Sequence, residues 1–142
     1  MKLKILSFGG EAFSSEEVVS VTLMTGIGEI TILDDHAPLL TSIKPSTLFV
    51  IYKDKQGVEK RDDFAVGSGV VEVSHNAVKI MADMLVDIDD LDLDQAQRAR
   101  DEAVLLMEKY RDAKEKIDME KFIEAEDMLL KSIAQLKLGS MK

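Results

Sequence analysis

The sequence predicts an α+β chain. An N-terminal antiparallel β-sandwich of about ten strands occupies residues 1–86, and an acidic junction with a C-terminal antiparallel two-helix hairpin occupies 87–142. Three observations carry this reading. Before residue 87 apolar residues recur at a period of two. Turn-forming residues interrupt them at intervals of roughly 8–12 residues, the rhythm of a sandwich or barrel. After residue 87 the period changes to three and four, and no Gly or Pro occurs before Gly139.

Strands are expected at 3–8, 16–24, 29–33, 39–43, 47–53, 58–65, 69–74 and 77–82, with a short one at 84–87. Val19, Val21 and Leu23 alternate with Ser20 and Thr22, and Ile30 and Ile32 alternate with Glu29 and Thr31. Leu48-Phe49-Val50-Ile51-Tyr52 is a short apolar run rich in β-branched and aromatic residues. Turns are expected at Gly9-Gly10, Gly26 with Gly28, Lys44-Pro45-Ser46, Asp54 to Gly57, Gly67-Ser68-Gly69 and His75-Asn76. Gly67-Ser68-Gly69 joins two strands and opens no helix, so it serves a tight turn or bulge rather than a phosphate cradle. Gly26-Ile27-Gly28 reads the same way.

Asp87, Asp89, Asp90, Asp92 and Asp94 make the junction acidic. Their spacing resembles the start of a calcium loop but lacks its sixth-position Gly and twelfth-position Glu, so a solvated, helix-capping linker is expected. Ala96, Ala99, Ala103, Leu106, Tyr110, Ala113 and Ile117 form one helical stripe, capped by Asp92 with Gln95 completing a capping-box pair. Phe122, Ala125, Leu129, Ile133 and Leu136 form a second, with Asp118 expected as its cap and Gly139 at its end. The break between the helices is expected around Lys114–Met119, and facing stripes with a short link pack antiparallel.

Composition narrows function. The chain has no cysteine, which excludes disulfides, thiolate metal sites and a cysteine nucleophile. Its 27 acidic residues against 18 basic ones give a net charge of −9, with no basic cluster. That opposes nucleic acid or anionic lipid as a partner. Lys4 interrupts the apolar start, so no signal peptide is read and the expected address is the cytoplasm. Asp34, Asp35 and His36 suggest a metal-dependent hydrolase, but adjacent residues on one turn, with His75 on another hairpin, fit a structural or contact role better. No nucleophile elbow, P-loop or zinc-protease motif is present. The residues alone describe a binding module rather than an enzyme.

Gly28-Glu29-Ile30-Thr31-Ile32-Leu33-Asp34-Asp35-His36-Ala37-Pro38-Leu39-Leu40-Thr41-Ser42-Ile43-Lys44-Pro45 resembles the signature of the ATP synthase epsilon subunit family. Phe64 to Val73 is similar to that family's paired-glycine strand motif, and Ala82-Asp83 to its strand-ending L-A-D. The resemblance covers residues 3 to about 138. It implies a non-catalytic rotor subunit whose ten-stranded sandwich sits between the gamma subunit and the polar loops of the c-ring. The complex would lie on the cytoplasmic face of a bacterial membrane, with no direct insertion of this chain. By motif match, Glu29 takes the position of the ring-contacting acid, and His36, Ala37, Pro38 and Leu39 would lie at the same end of the sandwich, near gamma. The alternative is a free-standing β-sandwich binding module.

The resemblance also implies that the hairpin regulates ATP hydrolysis by folding on the sandwich or extending into the alpha/beta head. Some relatives bind ATP through I/L-D-x-x-R-A, here Leu91-Asp92-Leu93-Asp94-Gln95-Ala96. Asp92, Gln95 and Ala96 are therefore the candidate nucleotide contacts, but the neutral Gln95 cannot supply the arginine's charge, so no cofactor is expected. Asp34-Asp35 replaces a common Pro-Gly, and Ser68 replaces a Gly. Between Asp118 and Leu138 five carboxylates face three lysines, so weak inhibition is expected, and truncation after Val86 should raise hydrolysis little.

Overall fold

A computed structural model describes residues 1–8 and 10–141. Gly9, half of the expected Gly9-Gly10 turn, and Lys142 lie outside them. The strands are β1 (Lys2–Ser7), β2 (Gly10–Ser15), β3 (Val18–Thr25), β4 (Gly28–Leu33), β5 (Leu39–Ile43), β6 (Ser46–Lys53), β7 (Glu59–Val66), β8 (Gly69–Ser74), β9 (Ala77–Ala82) and β10 (Leu85–Asp87). A single 3-10 turn, Ile88–Asp90, leads to α1 (Leu93–Tyr110) and α2 (Lys116–Gly139).

One sheet runs β10-β7-β6-β3-β4 and the other β5-β8-β9-β1-β2. A single rung, Thr25 to Ile43, joins them into one continuous ladder. The period-two pattern buries one face of each sheet against the other. Val21, Leu23, Ile32, Leu48 and Val50 meet Leu3, Ile5, Val71, Val73 and Ile80, all essentially without solvent contact. Each such side chain contributes about 1.5–3 kcal/mol through burial.

Two differences from the expected sandwich have physical causes. β2 adds a strand the sequence conceals. It is an edge strand paired only with β1, and of its side chains only Phe13 packs on the core, so no alternation marks it. The sandwich is also not wholly antiparallel, since β1 runs parallel to β9 in register Leu3 to Val78 and Ile5 to Ile80. Strands β2 to β8 lie between these two in the chain, which gives the long crossover a parallel pair needs.

Turn chemistry separates the glycines into two kinds. His75 and Asn76 have φ of 52° and 55° and close the two-residue β8–β9 hairpin. Gly28, at φ 118°, likewise answers a left-handed requirement. Gly67 and Gly69 do not, because neither has positive φ. They are small for reasons of space: a Cβ on Gly69 would strike the Met81 carbonyl of the paired strand, and one on Gly67 would strike the Asp83 carboxylate. The turn or bulge reading is thus replaced by close approach.

The hairpin forms with two corrections. Asp92 caps α1, its carboxylate accepting from the Gln95 N–H at 3.1 Å. α2 begins earlier than expected, with Glu115 at the cap making no side-chain hydrogen bond, and Asp118 sits in its first turn instead. There its charge still favours the helix N-terminus. α2 touches both α1 and the outer face of β6 and β7, so its buried set is Ala125, Ser132, Ala134 and Leu138. Ile133 and Ile117, assigned to the stripes, face solvent. Ile117 lies beyond the end of α1, and Ile133 points away from both neighbours of α2. Gly139 ends α2 where expected, pressed against Leu93.

Gly69→Ala should lower stability by about 1–3 kcal/mol, because an immovable carbonyl fills the space. Urea unfolding measures it, and an unchanged midpoint would contradict the role assigned to this glycine.

Candidate functional site

The β3–β4 hairpin builds one end of the sandwich. Thr25 is buried at the turn, its hydroxyl donating to the Gly28 carbonyl at 2.7 Å and accepting from the Ile27 N–H at 3.3 Å. This holds Gly26-Ile27-Gly28 in one shape and leaves Ile27 81% exposed. Glu29 follows, opposite Met24. Ile30 and Ile32 turn into the core, so the Glu29 carboxylate points out into solvent. The sequence pattern identified Glu29 but not Ile27; an isoleucine between two glycines of a turn was the available signal.

The other predicted contact residues lie at the opposite end of β4. His36 follows a turn in which its N–H donates to the Leu33 carbonyl at 3.2 Å. The expectation that Glu29 and His36–Leu39 share one end is therefore corrected. β4 runs its whole length between them, and β5 starts at Leu39 opposite Val73, beside the His75-Asn76 turn. His36 is half-buried with Nδ1 2.7 Å from the Ala37 carbonyl, Ala37 and Pro38 are exposed, and Leu39 packs against the core.

Asp34, Asp35 and His36 do not converge. Asp34 accepts from the Met1 ammonium at 2.7 Å. That hydrogen bond and charge hold its carboxyl below the usual range. The Asp35 N–H donates to the Asn76 side chain at 2.9 Å. Asp35 has φ 61°, a left-handed position of the kind that Gly fills most easily. The Asp34-Asp35 turn is thus held by two ties, one to the Met1 ammonium just before β1 and one to the β8–β9 turn. Among the described residues no three His, Asp or Glu side chains gather as a metal site.

Of the candidate nucleotide contacts, Asp92 is engaged in capping α1, Gln95 is exposed, and Ala96 is buried where the helices meet.

A second cluster, which the sequence reading did not bring together, ties α2 to the sandwich. The Lys131 ammonium lies 2.9 Å from the carboxylates of both Asp83 and Asp127, and the Ser68 hydroxyl donates to Asp127 at 3.4 Å. Burial works against the Lys131 charge, but the two carboxylates outweigh it and raise its pKa above the ordinary 10.5. The lysine's contribution to the contact is therefore fully present below 10.5 and is lost as pH rises through that higher value. One Asp83 oxygen is buried without a hydrogen-bond partner, tucked against Gly67. No helix among the described residues is long and apolar enough to cross a membrane.

Residues 1–88 match the profile of the ATP synthase delta/epsilon chain β-sandwich domain. An ATP synthase epsilon chain of Desulfitobacterium hafniense is 37% identical over 94% of this chain and 92% of its own. That of Bordetella parapertussis is 34% identical over 90% and 87%. Among solved structures, a chain of the Euglena gracilis mitochondrial ATP synthase OSCP/F1/c-ring assembly superposes with TM-score 0.74 at 20% identity, covering 99% of this chain and 80% of that one. A chain of the Tetrahymena thermophila mitochondrial ATP synthase central stalk and c-ring gives 0.54 at 19% identity, covering 63% and 68%.

Replacing Lys131 by Met uncovers two carboxylates and should weaken the seating of α2 by about 1 kcal/mol. Amides of residues 125–138 would exchange faster with deuterium while those of β8 and β9 stay unchanged. Equal protection in both regions would contradict the clamp.

Proposed function

Because the chain belongs to the ATP synthase delta/epsilon chain family, with epsilon chains as its relatives, we propose that it is the non-catalytic central-stalk subunit of an F-type ATP synthase. The match over residues 1–88, supported by epsilon-chain relatives aligned over most of the chain, carries this reading. Its sandwich bridges the gamma subunit and the c-ring, and the assembly sits on the cytoplasmic face of the bacterial membrane.

The geometry suits a bridge. A stiff sandwich presents different loops at its two ends. The Glu29 end, with Ile27 beside it, meets the polar ring loops, and the His36-Ala37-Pro38-Leu39 segment at the far end meets gamma. An exposed apolar side chain beside a carboxylate makes a contact with both a dry centre and a polar rim. The chain works without a cofactor. The neutral Gln95 argues against ATP as a regulatory ligand, since an amide does not supply the charge of the arginine that nucleotide-binding relatives carry.

Co-purification of the tagged chain with isolated gamma tests the central claim. A stable one-to-one complex is expected, and a chain that stays alone while holding a small ligand in a cleft would overturn it. Glu29→Lys should leave gamma binding intact and lower ATP-driven ion pumping in the reconstituted complex at equal hydrolysis. Removing residues 91–142 should leave hydrolysis within about twofold, since like charges on α2 oppose docking into an acidic head. A several-fold rise would make the hairpin a strong inhibitor.

A further inference from the structure

Asp62 is an acid on the wrong side of its strand. β7 turns Phe64 and Val66 into the core and Ala65 outward toward α2, so Asp62 shares the inward face with Phe64. It stands half-buried opposite Val50. The neighbouring edge strand β10 has only three rungs, Leu85 to Val66, Val86 to Ala65 and Asp87 to Phe64. The same alternation turns Leu85 and Asp87 inward. Asp87 therefore sits beside Asp62, on the last rung before the chain leaves for the helices. It also caps the 3-10 turn, accepting from the Asp89 N–H at 3.0 Å.

Among the described residues no cation forms an ion pair with Asp62 or Asp87. Lys60 lies 3.5 Å from Asp54. Arg61 pairs with Asp63 at 2.9 Å and stacks over Phe49, on the outward face. β6 offers the apolar Val50 and, beyond it, Tyr52. α2 covers the other side of β7, and its Lys131 is held by Asp83 and Asp127. From the 3-10 turn comes a further acid, Asp89. Burial pushes the Asp62 carboxyl up, and the hydrogen bond with Asp87 and the charges of Asp87 and Asp89 push it further, to about 7; the Asp63 backbone N–H pulls weakly the other way.

We propose that Asp62 and Asp87 share one proton, and that this proton latches β10, and with it the entry to the hairpin, onto β7. With the proton present, one carboxyl donates to the other across the edge of the sheet. Without it, two like charges face each other on a strand held by three rungs. The direction follows from a carboxyl raised in the fold above its ordinary 3.8. The latch is complete below about 4, weakens as pH rises, and is gone above about 7. The junction between sandwich and helices thus loosens as pH rises to neutrality, whether or not the chain serves in a rotor.

Deuterium exchange on the full-length chain at pH 6 and pH 8, corrected for the intrinsic exchange rate, tests this. Amides in the segment 84–91 should be about tenfold less protected at pH 8, because a group titrating near 7 shifts the opening equilibrium by that factor between these values. Protection in β8 and β9 should not change. Asp62→Asn supplies a neutral amide that donates to Asp87 at every pH, so its 84–91 protection should be flat. Equal wild-type protection at both pH values, or a pH dependence that survives in Asp62→Asn, would overturn the latch. Should that variant not fold, the side-chain carboxyl resonance of Asp62 in the unmodified chain decides. A midpoint near 7 supports the shared proton, and one near 4 refutes it.

Discussion

Two five-stranded sheets must bury one face each against the other, and the rest of the molecule is arranged around that requirement. The shared core excludes solvent from long rows of Val, Ile and Leu on both sheets. At about 1.5–3 kcal/mol per buried side chain, this far outweighs any single surface contact. The sandwich is therefore the rigid part. Its turns need only the right backbone chemistry, and they are free to carry exposed groups such as Ile27 and Glu29. The helices rest on a much smaller apolar contact centred on Ala65, Ala134 and Leu138. Two alanines among three residues bury little area, so the seating of α2 depends on polar terms that would be negligible in the core. The Lys131 cluster and the carboxyl pair at β10 are of a size to matter here and nowhere else in the fold.

The pattern of residues showed the layout because burial on one face writes a period of two. Where a strand buries nothing, the signal vanishes. β2 pairs only with β1 and offers the core Phe13 alone, so its sequence reads as polar loop. The helix stripes differ from the buried faces for a related reason. A stripe assumes one partner, but α2 has two, and Ser132 and Ala134 are buried while Ile133 between them is exposed. Hydrophobicity ranks side chains by cost of exposure, not by which face a second neighbour covers.

The candidate contacts were visible to different degrees. Glu29 followed from strand alternation and a long motif, and the structure points it outward as alternation requires. Its relation to His36 did not follow, because closeness in sequence along a strand is distance in space. The Lys131 clamp joins residues 48 and more positions apart, Asp83 and Ser68 to α2, and no local pattern encodes such a pairing. Gly67 and Gly69 mark that region in the sequence, yet their meaning is steric and appears only with the carboxylate and carbonyl they admit.

The departures from the family signature are coherent once their partners are seen. Pro-Gly makes its turn by backbone preference alone. Asp34-Asp35 forms a turn with Asp35 still left-handed, and ties it at 2.7 Å to the Met1 ammonium and at 2.9 Å to Asn76. Backbone strain at one residue is thus accepted where two contacts from distant parts of the chain over-determine it. The same logic applies to the acidic junction. Asp87 and Asp92 are each committed to a cap, so the run of carboxylates that could be taken for a cation loop is used to start two helical turns. A cap holds its carboxylate by one backbone N–H and leaves the second oxygen free. Asp87 can therefore serve the turn and the strand edge together, which places the protonation of one carboxyl pair at the point where the rigid sandwich gives way to the weakly seated helices.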